Sequence, residues 1–289
     1  MAVTAPAFIV NPSSRALNGA EGEDEVARLR RLCPVELVGV FCDADPCKAS
    51  REALDHGADT LITLGGDGTA QAAAQAIHDA TGEARLVALP MGTANLLPRR
   101  LYSTRSSDDI VSGLCDLVPD TLPGGLSGDD VFLIAAAAGF PTTFARARET
   151  ARDTGRKNRL KAALRRASLG FSQMFSSRLR FAADGAQGET LSKASGLMLW
   201  VEDGAECFEF TAINVHSLGE LAELALEAMN EQLRTDERLL VRQASTVRLE
   251  SSHAISCMLD GEPRTCGRTV TFSFHPALIP VLRWPAEAE

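Results

Sequence analysis

Residues 61–77 read LITLGGDGTAQAAAQAI: an apolar run, two adjacent glycines, an aspartate, a third glycine, a threonine, and then mostly alanine. Leu61, Ile62, Thr63 and Leu64 suit a short buried strand, and the stretch from Ala70 to Ala76 has high helix propensity. The pattern places a glycine-rich turn between a strand and a helix. Gly65, Gly66 and Gly68 can take backbone angles closed to other residues and leave room for a ligand at the main chain. Thr69 falls near the first helical turn, whose unpaired N–H groups and positive dipole end attract phosphate. One carboxylate, Asp67, stands among these groups. A carboxylate beside a phosphate site repels its ligand unless a cation lies between them, so Asp67 suggests Mg²⁺ held jointly by protein and nucleotide. The plainer alternative is a tight turn that happens to contain Gly-Asp-Gly.

The flanking sequence extends this unit in both directions. AFIVNP reads as an edge-entering strand ended by Pro12, acid-rich residues 21–32 as a helix leading to VELVGVF, residues 47–56 as a second helix, and RLVALP as a further strand before the polar turn MGTANLLPRRL. Strands alternating with helices at this pitch imply a mainly parallel sheet covered on both faces. In such sheets ligands bind beyond the carboxyl ends of the strands, where both GGDGT and GTAN fall. LPGGLSGDD, 122–130, marks the expected domain boundary. Strand-like runs follow it (RLRFAAD, ASGLMLWVED, FEFTAINV, STVRLES, AISCMLDGEP and RTVTFSFHP), interrupted by one amphipathic helix, LGELAELALEAMNEQL. The fold class expected is α/β plus β-rich, with domains at 1–124 and 125–289, the second mainly antiparallel and sandwich-like.

Charge is unevenly spread. The chain of 289 residues carries a net −9, which argues against nucleic-acid binding. Yet residues 146–180 hold eleven Lys or Arg against two acids, Glu149 and Asp153, a local +9 that leaves −18 on the remainder. Within that segment Leu160, Leu164, Ala167, Phe171, Met174 and Phe175 recur at helical spacing among Lys157, Arg159, Lys161, Arg165 and Arg166. Such a helix can rest on anionic lipid or pack its apolar stripe on its own domain. No apolar run is long enough to span a bilayer, and no secretory signal is evident. Seven cysteines without CxxC spacing read as reduced thiols of a cytosolic protein, and five scattered histidines offer no zinc pattern.

Taken in order, NPSS after the first strand, GGDGT after the third, LPMGTAN after the fourth and a late LDGEP resemble the diacylglycerol kinase-like lipid kinase family, which includes sphingosine and ceramide kinases. The resemblance implies an N-terminal Rossmann-like nucleotide-binding domain, a β-rich acceptor domain, and transfer of a phosphoryl group from MgATP to a lipid hydroxyl. Carried over by motif, Gly65, Gly66, Asp67, Gly68 and Thr69 cradle the ATP phosphates, Asn11, Gly92, Thr93 and Asn95 line the nucleotide pocket, Asp67 works through Mg²⁺, and Glu262 is the general base beside it in catalysis. Asp260 either shares the face of Glu262 or holds the loop or a metal-bound water. The implied partners are ATP and a lipid at a membrane surface, with anionic phospholipid under the basic helix, and the implied location is cytoplasmic, peripheral at the inner membrane surface.

The sequence also departs from the pattern. Ser14 and Arg15 stand where a glycine is usual, no acidic residue follows Asn95, and WVEDGAEC replaces a longer glycine-rich stretch. These departures leave acceptor detail and the family's additional structural metal without support in the motifs. GGDGT also occurs in NAD kinases, although a GSTAY-like segment is missing and Asn230-Glu231 sits inside an expected helix. A catalytically silent lipid- or nucleotide-binding module is the remaining alternative; intact Asp67 and Glu262 argue against it.

Overall fold

The computed structural model describes residues 3–14, 17, 19–80, 83–139, 179–184, 191–215, 220 and 238–285. The basic helix expected over 157–175, and all but Glu220 of the helix expected over 218–233, lie outside the described residues. The chain divides into two units, Met1–Gly125 with His275–Glu289, and Leu126–Phe274.

Along the chain run β1 (Pro6–Val10), α1 (Ala20–Leu32), β2 (Gly39–Cys42), α2 (Pro46–Asp55), β3 (Thr60–Leu64), α3 (Asp67–Asp79), β4 (Arg85–Ala88), α4 (Leu96–Tyr102) and α5 (Ser107–Ser112). The chain enters the second unit within β5 (Val118–Ser127). It continues through β6 (Asp130–Phe132), β7 (Ala135–Gly139), β8 (Leu179–Ala183), β9 (Ser192–Ala194), β10 (Gly196–Trp200), β11 (Phe208–Ile213), β12 (Leu239–Ala244), β13 (Thr246–Glu250), β14 (Ser256–Leu259) and β15 (Glu262–Thr265). The final strand, β16 (Thr269–Arg283), returns to the first unit.

In the first unit the strands lie parallel in the order β2-β1-β3-β4, with β16 beside β4 through Val281 and Leu86. Every residue of β1 and β3 is buried, as the unbroken apolar runs require of strands covered on both faces. β1 is therefore interior and not the edge strand expected; Pro6 is tolerated because it opens the strand. Helix starts are locally encoded. The Asp45 carboxylate accepts from the Cys47 and Lys48 amides ahead of α2, whose first residue is Pro46, and Ser106 with Asp109 forms a capping box at α5. Ala70, Ala73, Ala74, Ala76 and Ile77 line the buried side of α3.

Residues 275–289 belong to the first unit, against the expected second domain of 125–289. Packing explains the difference. Buried Tyr102 donates its hydroxyl to Leu282 O at 2.9 Å, the Arg105 guanidinium lies 3.9 Å over the Trp284 ring, and Arg283 pairs with Asp120 at 2.7 Å. The Trp284 ring fills the space where a Cβ on Gly113 would sit. The expected boundary segment 122–130 does contain the crossing at Gly125, but as strand: β5 pairs with β16 and β6, and ladder hydrogen bonds override its glycines and proline.

The second unit is two antiparallel sheets face to face. One holds β13 between β8 and the Thr269–Ser273 stretch of β16, with β9 beyond β8; the other runs β12-β11-β10-β7-β14-β15. Inward residues of both sheets form one core around Phe132, Phe181, Phe208, Phe210, Phe272 and Phe274. Phe132 stacks on Phe208 at 5.6 Å, and Phe274 meets Phe208 edge-on at 5.2 Å. The fold class is the one the sequence led us to expect.

Candidate active site

The strand order of the first unit makes one crevice special. From β1 the chain crosses through α1 to β2 on one side, then through α2 to β3 on the other, so the order reverses between β1 and β3. Ligands of open parallel sheets bind beyond the carboxyl ends at such a point. Asn11 follows β1, Gly65 follows β3, and the Pro90–Asn95 loop follows β4. Eight of the nine residues singled out from the sequence as nucleotide-lining or catalytic in this half, Asn11, Gly65, Gly66, Asp67, Gly68, Thr69, Gly92 and Asn95, are tied into this edge by the contacts below or by direct chain continuity; Thr93 is exposed within the same loop.

The first two loops are joined by hydrogen bonds. Asn11 N–H donates to Leu64 O at 3.2 Å, Asn11 Nδ2 donates to Thr69 Oγ1 at 3.2 Å, and Ser13 N–H donates to Asn11 Oδ1 at 3.0 Å. Thr69 is buried in the first turn of α3. Its side chain explains Gly65, where a Cβ would stand 2.2 Å from Thr69 Oγ1. The third loop approaches just as closely. A Cβ on Gly92 would lie 2.6 Å from Gly66 Cα, so the two loops meet main chain to main chain. None of Gly65, Gly66, Gly68 and Gly92 has positive φ. The expectation that Gly65, Gly66 and Gly68 supply unusual backbone angles is corrected; at Gly65, as at Gly92, the requirement is space.

Asn95 shapes the third loop. It adopts the left-handed region at φ 51 and ψ 43, accepts Gly92 N–H on Oδ1 at 2.6 Å and donates from Nδ2 to Pro90 O at 3.3 Å. Its side-chain amide is thereby used within the loop, so a bound nucleotide would meet the loop surface that Asn95 holds. The segment after it, expected as a turn, forms α4; Pro98 in the first helical turn, where no N–H is needed, is the signal that marks this start.

α3 begins differently from α2 and α5. Its N-cap is Gly66, which has no side chain to make a cap hydrogen bond. Its first residue, Asp67, accepts Leu97 N–H on Oδ1 at 3.0 Å, which locks the carboxylate between α3 and α4. This partner was not foreseen, since a backbone N–H thirty positions away leaves no sequence signal. A helix end with a glycine N-cap has the chemistry of an anion site, and the carboxylate fixed beside it is of the type that hard cations prefer.

Glu262 lies in the second unit, exposed at the first position of β15. Asp260 (φ 48) and Gly261 (φ 93) make the two-residue turn between β14 and β15, with Leu259 and Glu262 paired across it. The Asp260 carboxylate accepts the N–H groups of Leu133, Ile134 and Ala135 at 2.6, 2.8 and 2.9 Å. Of the roles open to Asp260, holding the loop is the one its contacts support. The turn residue binds the chain between β6 and β7, and Glu262 projects from a fixed base.

Comparison with known proteins bears on this arrangement. Residues 6–120 match the family model described as the diacylglycerol kinase catalytic domain. The "Probable lipid kinase YegS-like" protein of Pseudomonas aeruginosa (strain UCBPP-PA14) is 28% identical over 254 residues, 83% of this chain and 81% of that protein. Its namesake in Cronobacter sakazakii (strain ATCC BAA-894) is 39% identical over 87 residues, 27% of this chain but only 29% of that protein. A crystal structure of a diacylglycerol kinase from Bacillus anthracis str. Sterne matches the fold with a TM-score of 0.67 over 99% of both chains at 12% identity, a likeness of fold alone.

Proposed function

We infer that this chain, which belongs to the diacylglycerol kinase-like lipid kinase family, transfers the terminal phosphoryl group of ATP to a hydroxyl of a membrane lipid such as a diacylglycerol, a ceramide or a sphingoid base. One observation carries the reading: three loops at the carboxyl edge of β1, β3 and β4 meet where the strand order reverses, at a helix end whose N-cap is the glycine Gly66. The match of residues 6–120 to the diacylglycerol kinase catalytic domain favours this reading over the NAD kinase alternative weighed from the sequence.

The residues present fit MgATP. Gly65 to Thr69 bring the α3 N-terminus to the phosphates, and Asn11, Gly92, Thr93 and the loop that Asn95 folds line the nucleotide. Among the described residues no three His, Cys, Asp or Glu converge on one point, so Asp67, phosphate oxygens and water would hold the ion, the usual arrangement for Mg²⁺. Bound there, the ion neutralises phosphate charge. The chain's own part is positioning, and a base. We assign Glu262 to accept the proton of the lipid hydroxyl as the new P–O bond forms, worth about 10²–10⁴-fold in rate, with Asp260 holding it in place. The +9 segment 146–180 brings the enzyme to anionic membrane from the cytoplasm, each basic residue near the surface contributing ~1 kcal/mol. Among the described residues no helix is long and apolar enough to cross a membrane.

The test is transfer of labelled γ-phosphate from MgATP to diacylglycerol, ceramide and a sphingoid base in mixed micelles. Label in one lipid class supports the reading and names the acceptor. Tight nucleotide binding with no labelled lipid from any class overturns it in favour of a binding role.

A further inference from the structure

Two of the seven cysteines meet. Cys257, fully buried on β14, and Cys266, half-buried just past β15, have their sulfurs 3.0 Å apart. That is about 1 Å beyond a disulfide bond length. The contact is built by the backbone. Cys266 N–H donates to Ile255 O at 2.8 Å while Ile255 N–H donates to Gly267 O at 3.1 Å, so two residues of one strand face one of the other, a bulge. A bulge re-aims a side chain, and this one accompanies a sulfur–sulfur contact between residues that the β14–β15 register, with Cys257 opposite Arg264, would set on a diagonal. Between the two thiols lies the whole Asp260-Gly261-Glu262 turn.

We propose that Cys257 and Cys266 are a redox modification site, forming a reversible disulfide when the protein meets hydrogen peroxide. Cys266 is the thiol that solvent reaches. Its sulfur attacks one peroxide oxygen, the O–O bond breaks, and the sulfenic acid and one water result. The Cys257 sulfur then attacks the sulfenic sulfur, the S–S bond forms, the S–O bond breaks, and the oxygen leaves as a second water with the Cys257 proton. Two thiols and one peroxide thus give one disulfide and two waters. Burial and the neighbouring Cys266 push the Cys257 thiol well up, which suits a resolving partner that stays protonated until the sulfenic acid is beside it. The disulfide joins both arms of the hairpin at the base of the Glu262 turn. This site stands whether or not the chain is a lipid kinase.

The experiment treats the full chain with hydrogen peroxide, blocks free thiols, and maps peptides by mass spectrometry without reduction. The expected product is a 257–266 cross-link lighter by two hydrogen atoms, released by dithiothreitol. It disappears in Cys266→Ser, which alters only a half-buried position, and in Cys257→Ala. Peroxide that leaves Cys257 free while over-oxidising Cys266, or modifies only exposed Cys42 and Cys115, overturns the proposal.

Discussion

The carboxylate of Asp67 accepts the backbone N–H of Leu97 at 3.0 Å, so the acidic residue of the glycine loop is also the bolt between α3 and α4. Substitution separates this hydrogen bond from the metal role proposed for Asp67. Asp67→Asn keeps an oxygen for Leu97 but loses the charge, so it should unfold close to the parent while phosphoryl transfer falls by about 10²-fold or more. Asp67→Ala loses the hydrogen bond as well, a cost of ~1 kcal/mol, or about 2–4 °C in Tm for a chain of this size. Thermal unfolding beside turnover distinguishes the pair.

Gly92→Ala tests the contact between loops. The new Cβ would stand 2.6 Å from Gly66 Cα, backbone that cannot swing aside as a side chain can. We expect ~1–3 kcal/mol of overpacking and, because the loops must part, at least a tenfold loss in nucleotide affinity, measured by calorimetry.

Asp260 is placed to hold the chain, so its removal should be felt in stability before chemistry. Asp260→Ala strips the acceptor from three N–H groups and puts a poorly suited residue at φ 48. Urea unfolding should show a loss of about 3 kcal/mol. Asp260→Asn tolerates the left-handed backbone and keeps one oxygen, so it should lose visibly less.

For the basic segment, Arg165→Glu with Arg166→Glu should weaken binding to anionic vesicles by at least tenfold, and parent binding should fall with salt. Equal sedimentation with neutral and anionic vesicles would remove the electrostatic basis.

Much of the fold was legible because its signals are local. AFIV is a continuous apolar run and LITL is broken only by Thr63, and both form fully buried strands. Legibility ended where a residue's reason lies far along the chain. Gly92 is demanded by Gly66, and Asp67 is held by Leu97, contacts that no propensity encodes. Composition hid others. β15, EPRT, and the exposed edge strand β12, LLVRQA, lack apolar alternation, and Pro276 and Pro280 concealed that β16 runs on to Arg283 in the first unit. At the loops, space rather than backbone angle accounts for Gly65 and Gly92.

The role proposed for Glu262, base in phosphoryl transfer from ATP to a lipid hydroxyl, is tested by steady-state transfer of labelled γ-phosphate by the parent and Glu262→Gln. We expect kcat to fall by about 10²–10⁴-fold while the KM for ATP and the unfolding temperature stay where they were. Undiminished lipid phosphorylation by Glu262→Gln would contradict it.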